Sequence, residues 1–366
     1  MRGGEKVLEE ICRLFPGAPI HTLVAKPERL SPLLQGHPIR TSWLQRLPGG
    51  AGHYKKLLPL FPEAIAALRV EAPVDLVLSS DASVIKGLSY PEGTPHVCYC
   101  HSPPRYLWDL QDEYMQSADA GGALGRALFR AITPRVREFD QLAAGRVTHF
   151  IANSAFVQER IRRCYGREST VIHPPVALES FTLADGPPED FHLVVSQLTP
   201  YKRIDVAVEA FNRLGTPLVI IGEGSERPRL EAMARPNITF LGSQPFSVLR
   251  DHYRRCRALV FPGIEDFGIT PLEAQASGRP VLAYGKGGVL ESTLDGETGL
   301  FFTEQTPESL IDAVLRLHQM ADRIDPQACR AQAECFAPVK FRQRMRDFLR
   351  KTFPGIVTGG EDGMIG

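Results

Sequence analysis

Short apolar runs alternate along the chain with stretches whose apolar positions recur every three or four residues. That alternation predicts parallel α/β sheets, in which each strand is followed by a crossover helix. In the first half the strand candidates are residues 21–24 (HTLV), 76–79 (LVLS), 96–100 (HVCYC), 150–152 (FIA) and 170–172 (TVI). In the second half they are 193–196 (LVVS), 218–221 (LVII), 238–241 (ITFL), 259–261 (LVF), 281–283 (VLA) and 300–302 (LFF). Between the halves lies PPVALESFTLADGPPEDF, rich in Pro, Gly and acids, which reads as a linker and puts the boundary near residues 174–188. The expected organisation is a first α/β domain over 1–175, a doubly wound domain over 189–336, a basic amphipathic helix within 337–353 and a tail over 354–366. The tail, ending GGEDGMIG, has too little apolar content to pack and is expected to be flexible. Ligands of the doubly wound half are expected outside the carboxyl ends of its strands.

Composition narrows the class. A length of 366 residues suits two domains, and 43% hydrophobic residues let each half bury a core. Lys+Arg and Asp+Glu balance at 42 each, which argues against a general nucleic-acid binder. No run approaches the roughly 18 apolar residues of a membrane span, and the N-terminus lacks the apolar core of a signal peptide. Seven cysteines are scattered without a C-x-x-C pair, and Cys98-Tyr99-Cys100 reads as buried strand. A reducing, cytoplasmic setting without a metal cluster is expected.

The stretch GIEDFGITPLEAQASGRPVLAYGKGG carries the most chemistry. Glu265 and Glu273 stand eight residues apart, and alone such a pair reads as two solvated surface charges. Pro271 is suited to a first helical position, so residues 272–277 read as a helix beginning at that proline. Glu265 then lies in the loop over a helix N-terminus, and Glu273 in the first turns. The amides of Phe267, Gly268 and Ile269 are expected to be exposed there, which suits a polyhydroxy ligand carrying phosphate. Lys202 and Arg203 follow a strand at another helix start, where they read either as solvated cations or as partners of a pyrophosphate. Gly3-Gly4 precedes a helix and reads either as a tight turn or as a diphosphate approach. His101 follows the strand at 96–100, where α/β domains bind ligands, with a structural histidine as the alternative.

EDFGITPLEAQASGRPV with the later GGVLE resembles the donor-site signature of retaining glycosyltransferases of family 4, which have the GT-B fold of two Rossmann-like domains facing across a cleft. CHSPPRYLWD is similar to the family's H-[ST]-P-x-R-Y-x-W-D, and SVIKGL and IANS also match, so the resemblance runs from Arg2 to about Phe348. It implies transfer of a hexose from a nucleoside diphosphate sugar, with GDP-mannose favoured, to a glycan or polyprenyl-linked acceptor with retention. Glu273 would hold the ribose hydroxyls and Glu265 the hexose hydroxyls. His101 would contact the transferred sugar, and Lys202 the leaving diphosphate. Gly3 and Gly4 would also approach the diphosphate, and Arg105 would face acceptor or donor. The family's arginine before the lysine is replaced by Gln197, unless Arg203 supplies that charge. The family also has a strand before Gly3-Gly4, so the first domain reads as lacking its first strand, with Met1 an internal or misassigned start. The C-terminal helix would cross back onto the first domain.

No D-x-D occurs, which points to metal-independent stabilisation of the leaving phosphate and no cofactor. For the acceptor side, residues 43–48 and 54–58 mix apolar and basic positions. Leu124, Leu128 and Ile132 share a helical face beside Arg126 and Arg130. That face reads as a core helix with a solvated edge, or as a patch resting peripherally on anionic lipid. Two other activities fit the fold class: a nucleotide-sugar epimerase, and a non-catalytic sugar-nucleotide-binding subunit.

Overall fold

The computed structural model describes residues 3–71, 73–109, 122–183, 186–320 and 323–356, without the side chains of residues 51, 53, 55, 56 and 124. Residues 357–366 of the expected flexible tail lie outside that description, as does the side chain of Leu124. The chain forms two compact units. The first takes the described residues up to Pro175 and those from Pro338 onward, and the second takes Val176–Ala337.

In the first unit, β1 (Ile20–Thr22) and β2 (Ile39–Thr41) form a parallel pair of their own. β3 (Val77–Asp81), β4 (His96–Cys100), β5 (His149–Ala152) and β6 (Ser169–Val171) form a parallel sheet in that order. All five residues of β4 are buried, as befits a strand covered on both faces by helices. The helix Gly3–Leu14 buries Val7, Ile11 and Leu14. The C-terminal helix Pro338–Thr352 spaces Phe341, Met345 and Leu349 four residues apart, so one face packs into the same core with Val97 and Tyr99. An ion pair between Arg342 and Glu10 ties the two helices at the rim of that core.

The second unit is a six-stranded parallel sheet. It comprises β7 (His192–Val195), β8 (Leu218–Ile221), β9 (Ile238–Gly242), β10 (Leu259–Phe261), β11 (Val281–Tyr284) and β12 (Gly299–Phe302). Its order is β12-β11-β10-β7-β8-β9, so the winding reverses between β7 and β10. A crevice opens at such a reversal, outside the strand carboxyl ends. The segment expected to be a linker packs instead into this unit. Val176, Leu178 and Phe181 are buried with Tyr253 and Phe267, and the Arg330 guanidinium donates to the carbonyls of Phe181 and Ala276 at 2.8 and 2.9 Å. The apolar residues of PPVALESF outweigh its prolines, so the unit begins at Val176 rather than at 189.

His192 opens β7 wholly buried, with Phe211 and His318 against its ring and no hydrogen-bond partner on either ring nitrogen. Burial, aided by His318 and Arg257 and opposed by Asp190, pushes its pKa down from 6.5 to about 3. An unfolded chain takes a proton near pH 6.5 that the folded unit refuses until about pH 3, so stability is lost as pH falls through that window. Urea unfolding should show about 2 kcal/mol less stability at pH 5 than at pH 7 from this group, and His192→Phe should remove that part of the slope.

Candidate functional site

The loops leaving β7 and β10 meet at the winding reversal of the second unit. After β7, a turn of 3-10 helix over Pro200–Lys202 leads to Arg203, which caps the helix Ile204–Leu214 with a left-handed backbone, φ 52°. A non-glycine residue there is uncommon and turns the chain sharply. Lys202 lies largely buried, its ammonium over the Tyr201 ring and ion-paired with Glu265 from the loop after β10. Val194, Ser196, Val260, Gly263 and Ile204 complete a small cleft around this pair. Glycine is required at 263, since a Cβ would stand 2.9 Å from the Lys202 carbonyl oxygen. Arg203 does not join the cleft through the contacts it makes. Its guanidinium reaches Asp205 at 3.2 Å and Gln305 at 3.3 Å, and Gln305 in turn donates to the Pro262 carbonyl at 2.7 Å. Gln197 lies exposed on the same loop.

The loop bearing Glu265 is held from behind by Gly287 and Gly288. Glu265 bridges Gly287, and its carbonyl accepts from the Gly288 amide at 2.9 Å. A Cβ on Gly288 would stand 2.4 Å from the Asp266 oxygen, so only glycine permits this approach. The helix begins at Ile269 and runs to Ala276, two residues before the expected start. Gly268, at φ 84°, turns the chain into it, and Pro271 sits inside the first turn, where helical amides have no intrahelical acceptor. As whole residues Phe267 and Gly268 are buried, the Phe267 ring packing against Phe336, while Ile269 is half-buried. Glu273 lies in this helix and accepts a hydrogen bond from the Tyr253 hydroxyl at 2.9 Å. Tyr253 is fully buried, and burial with the adjacent carboxylate pushes its phenol far up, so it stays a donor. Sequence reading missed it: in FSVLRDHYRR it resembles any residue of a basic surface helix.

In the first unit, His101 leaves the carboxyl end of β4. Its Nε2 lies 2.8 Å from Ser80 Oγ, and its amide donates to the Asp81 carbonyl at 2.8 Å. Gly4, at the start of the helix Gly3–Leu14, faces the same ring, and a Cβ there would lie 3.5 Å from Nε2. Arg105 opens the short helix Arg105–Trp108, which continues the His101 segment. Arg160 is buried beneath that segment, ion-paired with Asp109 and bonded to Ser102 Oγ and to the Pro103 carbonyl. Ser154 caps the helix Ala155–Tyr165, its Oγ accepting from the Val157 amide at 3.0 Å. Thus Gly3, Gly4, His101 and Arg105 gather in one unit, and Gln197, Lys202, Glu265, Gly268 and Glu273 in the other. Among the described residues, no group of three or more His, Cys, Asp or Glu converges as a metal centre would need. No described helix is long and apolar enough to cross a membrane.

Comparison with known proteins agrees with this architecture. The D-inositol 3-phosphate glycosyltransferase of Geodermatophilus obscurus is 29% identical over 218 residues, covering 50% of this chain and 48% of that protein. The glycogen synthase of Mycobacterium tuberculosis is 31% identical over 212 residues, covering 53% and 49% respectively. The chain therefore spans about half the length of the curated relatives it matches. Among solved structures, the sucrose-phosphate synthase of Thermosynechococcus elongatus superposes with a TM-score of 0.72 at 18% identity, covering 96% of this chain and 92% of that one. Anabaena HepE in complex with UDP superposes at 0.67 and 15% identity, covering 96% of each chain. Both likenesses are of fold, the two-domain GT-B type. Residues 1–180 match Glycosyltransferase Family 4, residues 151–334 match the glycosyl transferases group 1, and the chain belongs to the glycosyl transferases group 1.

Proposed function

We propose that the chain transfers a hexose from a nucleoside diphosphate sugar to an acceptor hydroxyl with retention, with mannose from GDP-mannose the favoured donor. The observation that carries this reading is the pairing of Lys202 with Glu265 at the winding reversal. One ammonium and one carboxylate side by side supply what the reaction needs at two adjoining positions. The ammonium takes charge developing on the leaving diphosphate, and the carboxylate accepts from hexose hydroxyls. Glu273, steadied by Tyr253, accepts from the ribose hydroxyls. The positive end of the helix Ile269–Ala276 and the amides of Phe267, Gly268 and Ile269 favour the phosphate and sugar oxygens. Within the first unit, His101 is assigned to sugar contact, Gly3-Gly4 to phosphate contact and Arg105 to acceptor or donor, as the family resemblance implies. Because Lys202 provides the charge, no divalent ion enters the reaction, and turnover should survive EDTA. UDP sugars are the competing donors, since HepE was solved with UDP and with UDP-glucose.

A donor panel read by thermal shift tests the base and sugar, and GDP-mannose should stabilise most. Slow donor hydrolysis should fall about 10²-fold in Lys202→Ala and in Glu265→Ala. Equal hydrolysis in both variants and in the unaltered protein would remove the site from this reading. Tyr253→Phe should weaken nucleoside diphosphate binding roughly tenfold, by removing one hydrogen bond to a carboxylate.

The acceptor is proposed to be a glycan or polyprenyl-linked glycan, reached from a membrane surface. Leu128 is 55% exposed on the helix Gly122–Arg146, flanked by exposed Arg126 and Arg130, whereas Ile132 packs against the core. Flotation with vesicles should show binding to anionic lipid at low salt that Leu128→Asp reduces. Absence of binding at low salt would sink the lipid contact.

A further inference from the structure

We infer that Lys86, together with Asp81 and Asp140, is a positioning device for the His101 segment. The role of His101 itself rests on the donor-transfer reading above. Lys86 is 1% exposed, and all three protons of its ammonium have acceptors. Nζ donates to Asp81 Oδ2 at 3.0 Å, to the Ser83 carbonyl at 3.1 Å and to Asp140 Oδ1. The other oxygen of Asp81 accepts from the amides of Ser83 and Ile85 at 2.7 and 3.3 Å. Asp140 Oδ2 accepts from the Trp108 indole at 3.0 Å and from the Tyr165 hydroxyl at 2.9 Å. Two carboxylates and one ammonium are thus enclosed in the core of the first unit.

Each branch of this cluster ends on the His101 segment. The Asp81 carbonyl holds the His101 amide, and its neighbour Ser80 holds the imidazole Nε2. Ser83, bonded through its carbonyl to Lys86, meets the Tyr106 hydroxyl at 2.7 Å. Asp140 holds Trp108. Residues 101, 106 and 108 are therefore held, on both sides of Arg105, by Asp81, Ser83 and Asp140, the three residues that also bond the buried ammonium. Gly87 leaves room for the helix carrying Asp140, since a Cβ there would stand 2.4 Å from the Phe139 ring and displace it.

Stability alone does not account for the arrangement. Buried ion pairs are often no better than apolar side chains of the same volume, while their geometry is exacting. Burial would raise Asp81, but the Lys86 ammonium and the amides reverse this and hold it below the usual carboxylate range. Burial pushes Asp140 upward, against the pull of the same ammonium. A single cation shared by two acids leaves the cluster sensitive to any displacement, which suits a part that fixes an angle.

The test uses the full chain with ¹⁵N-labelled histidine, the His101 signal being assigned by its loss in His101→Asn. In Lys86→Met and in Trp108→Phe the His101 ring resonances should shift. Their kcat for donor turnover should fall about 10- to 100-fold, with donor KM changed less than twofold. Asp140→Asn keeps an oxygen for Trp108 and Tyr165, and should retain more activity than Asp140→Ala. Should Lys86→Met fail to fold, Trp108→Phe, which removes the indole N–H while keeping an aromatic ring, decides the matter by itself. A folded Trp108→Phe with unaltered His101 resonances overturns the inference. Loss of activity matched by loss of folded protein, with the remaining His101 signal unchanged, also overturns it. Should the unaltered protein turn over no donor, the proposed reaction fails, and the His101 resonances still decide the positioning role.

Discussion

A strand in a parallel sheet must be left at its carboxyl end by a chain travelling away to a helix, and both units of this protein are built under that constraint. The constraint collects loops from non-adjacent parts of the sequence along one edge of each sheet. Lys202 follows β7 and Glu265 follows β10, strands with two others between them in sequence that nevertheless pair side by side in the sheet. In the same way His101, after β4, meets Ser80 and Asp81 at the end of β3. The chemistry at these edges is a consequence of sheet order before it is a property of any one residue.

The apolar runs made the strands legible because buried parallel strands tolerate little else. The runs at 96–100, 218–221 and 259–261 coincide with β4, β8 and β10. β2 escaped notice because Arg40 at its middle is exposed and Ile39 and Thr41 are only half-buried, so nothing in IRT marks a core strand. The first helical turn after Gly268 was misread for a related reason. Proline is accepted anywhere among the first-turn amides, so Pro271 bounds the start without fixing it.

Side-chain roles were less legible than side-chain identities. Lys202, Glu265 and Glu273 could be picked out because their local runs are distinctive. Lys86 could not be read as buried, since a lysine between two strands is ordinarily at the surface and its partners lie 5 and 54 residues away. Arg203 shows the reverse: a cation in a suggestive position whose observed contacts run to Asp205 and Gln305. Charge in a sequence tells that a partner is needed, and only the fold says which.

The glycines at the edge of the second sheet set where variation is possible. A Cβ on Gly222 would stand 1.8 Å from the Ser196 oxygen, and one on Gly224 would stand 2.0 Å from that of Leu198. The loop after β8 thus rests main chain against main chain on the loop that carries Gln197 and Lys202. Shape at this edge is therefore stored in backbone contacts and is independent of the exposed Gln197 side chain. Such a scaffold can exchange the side chain it carries at position 197 without being rebuilt.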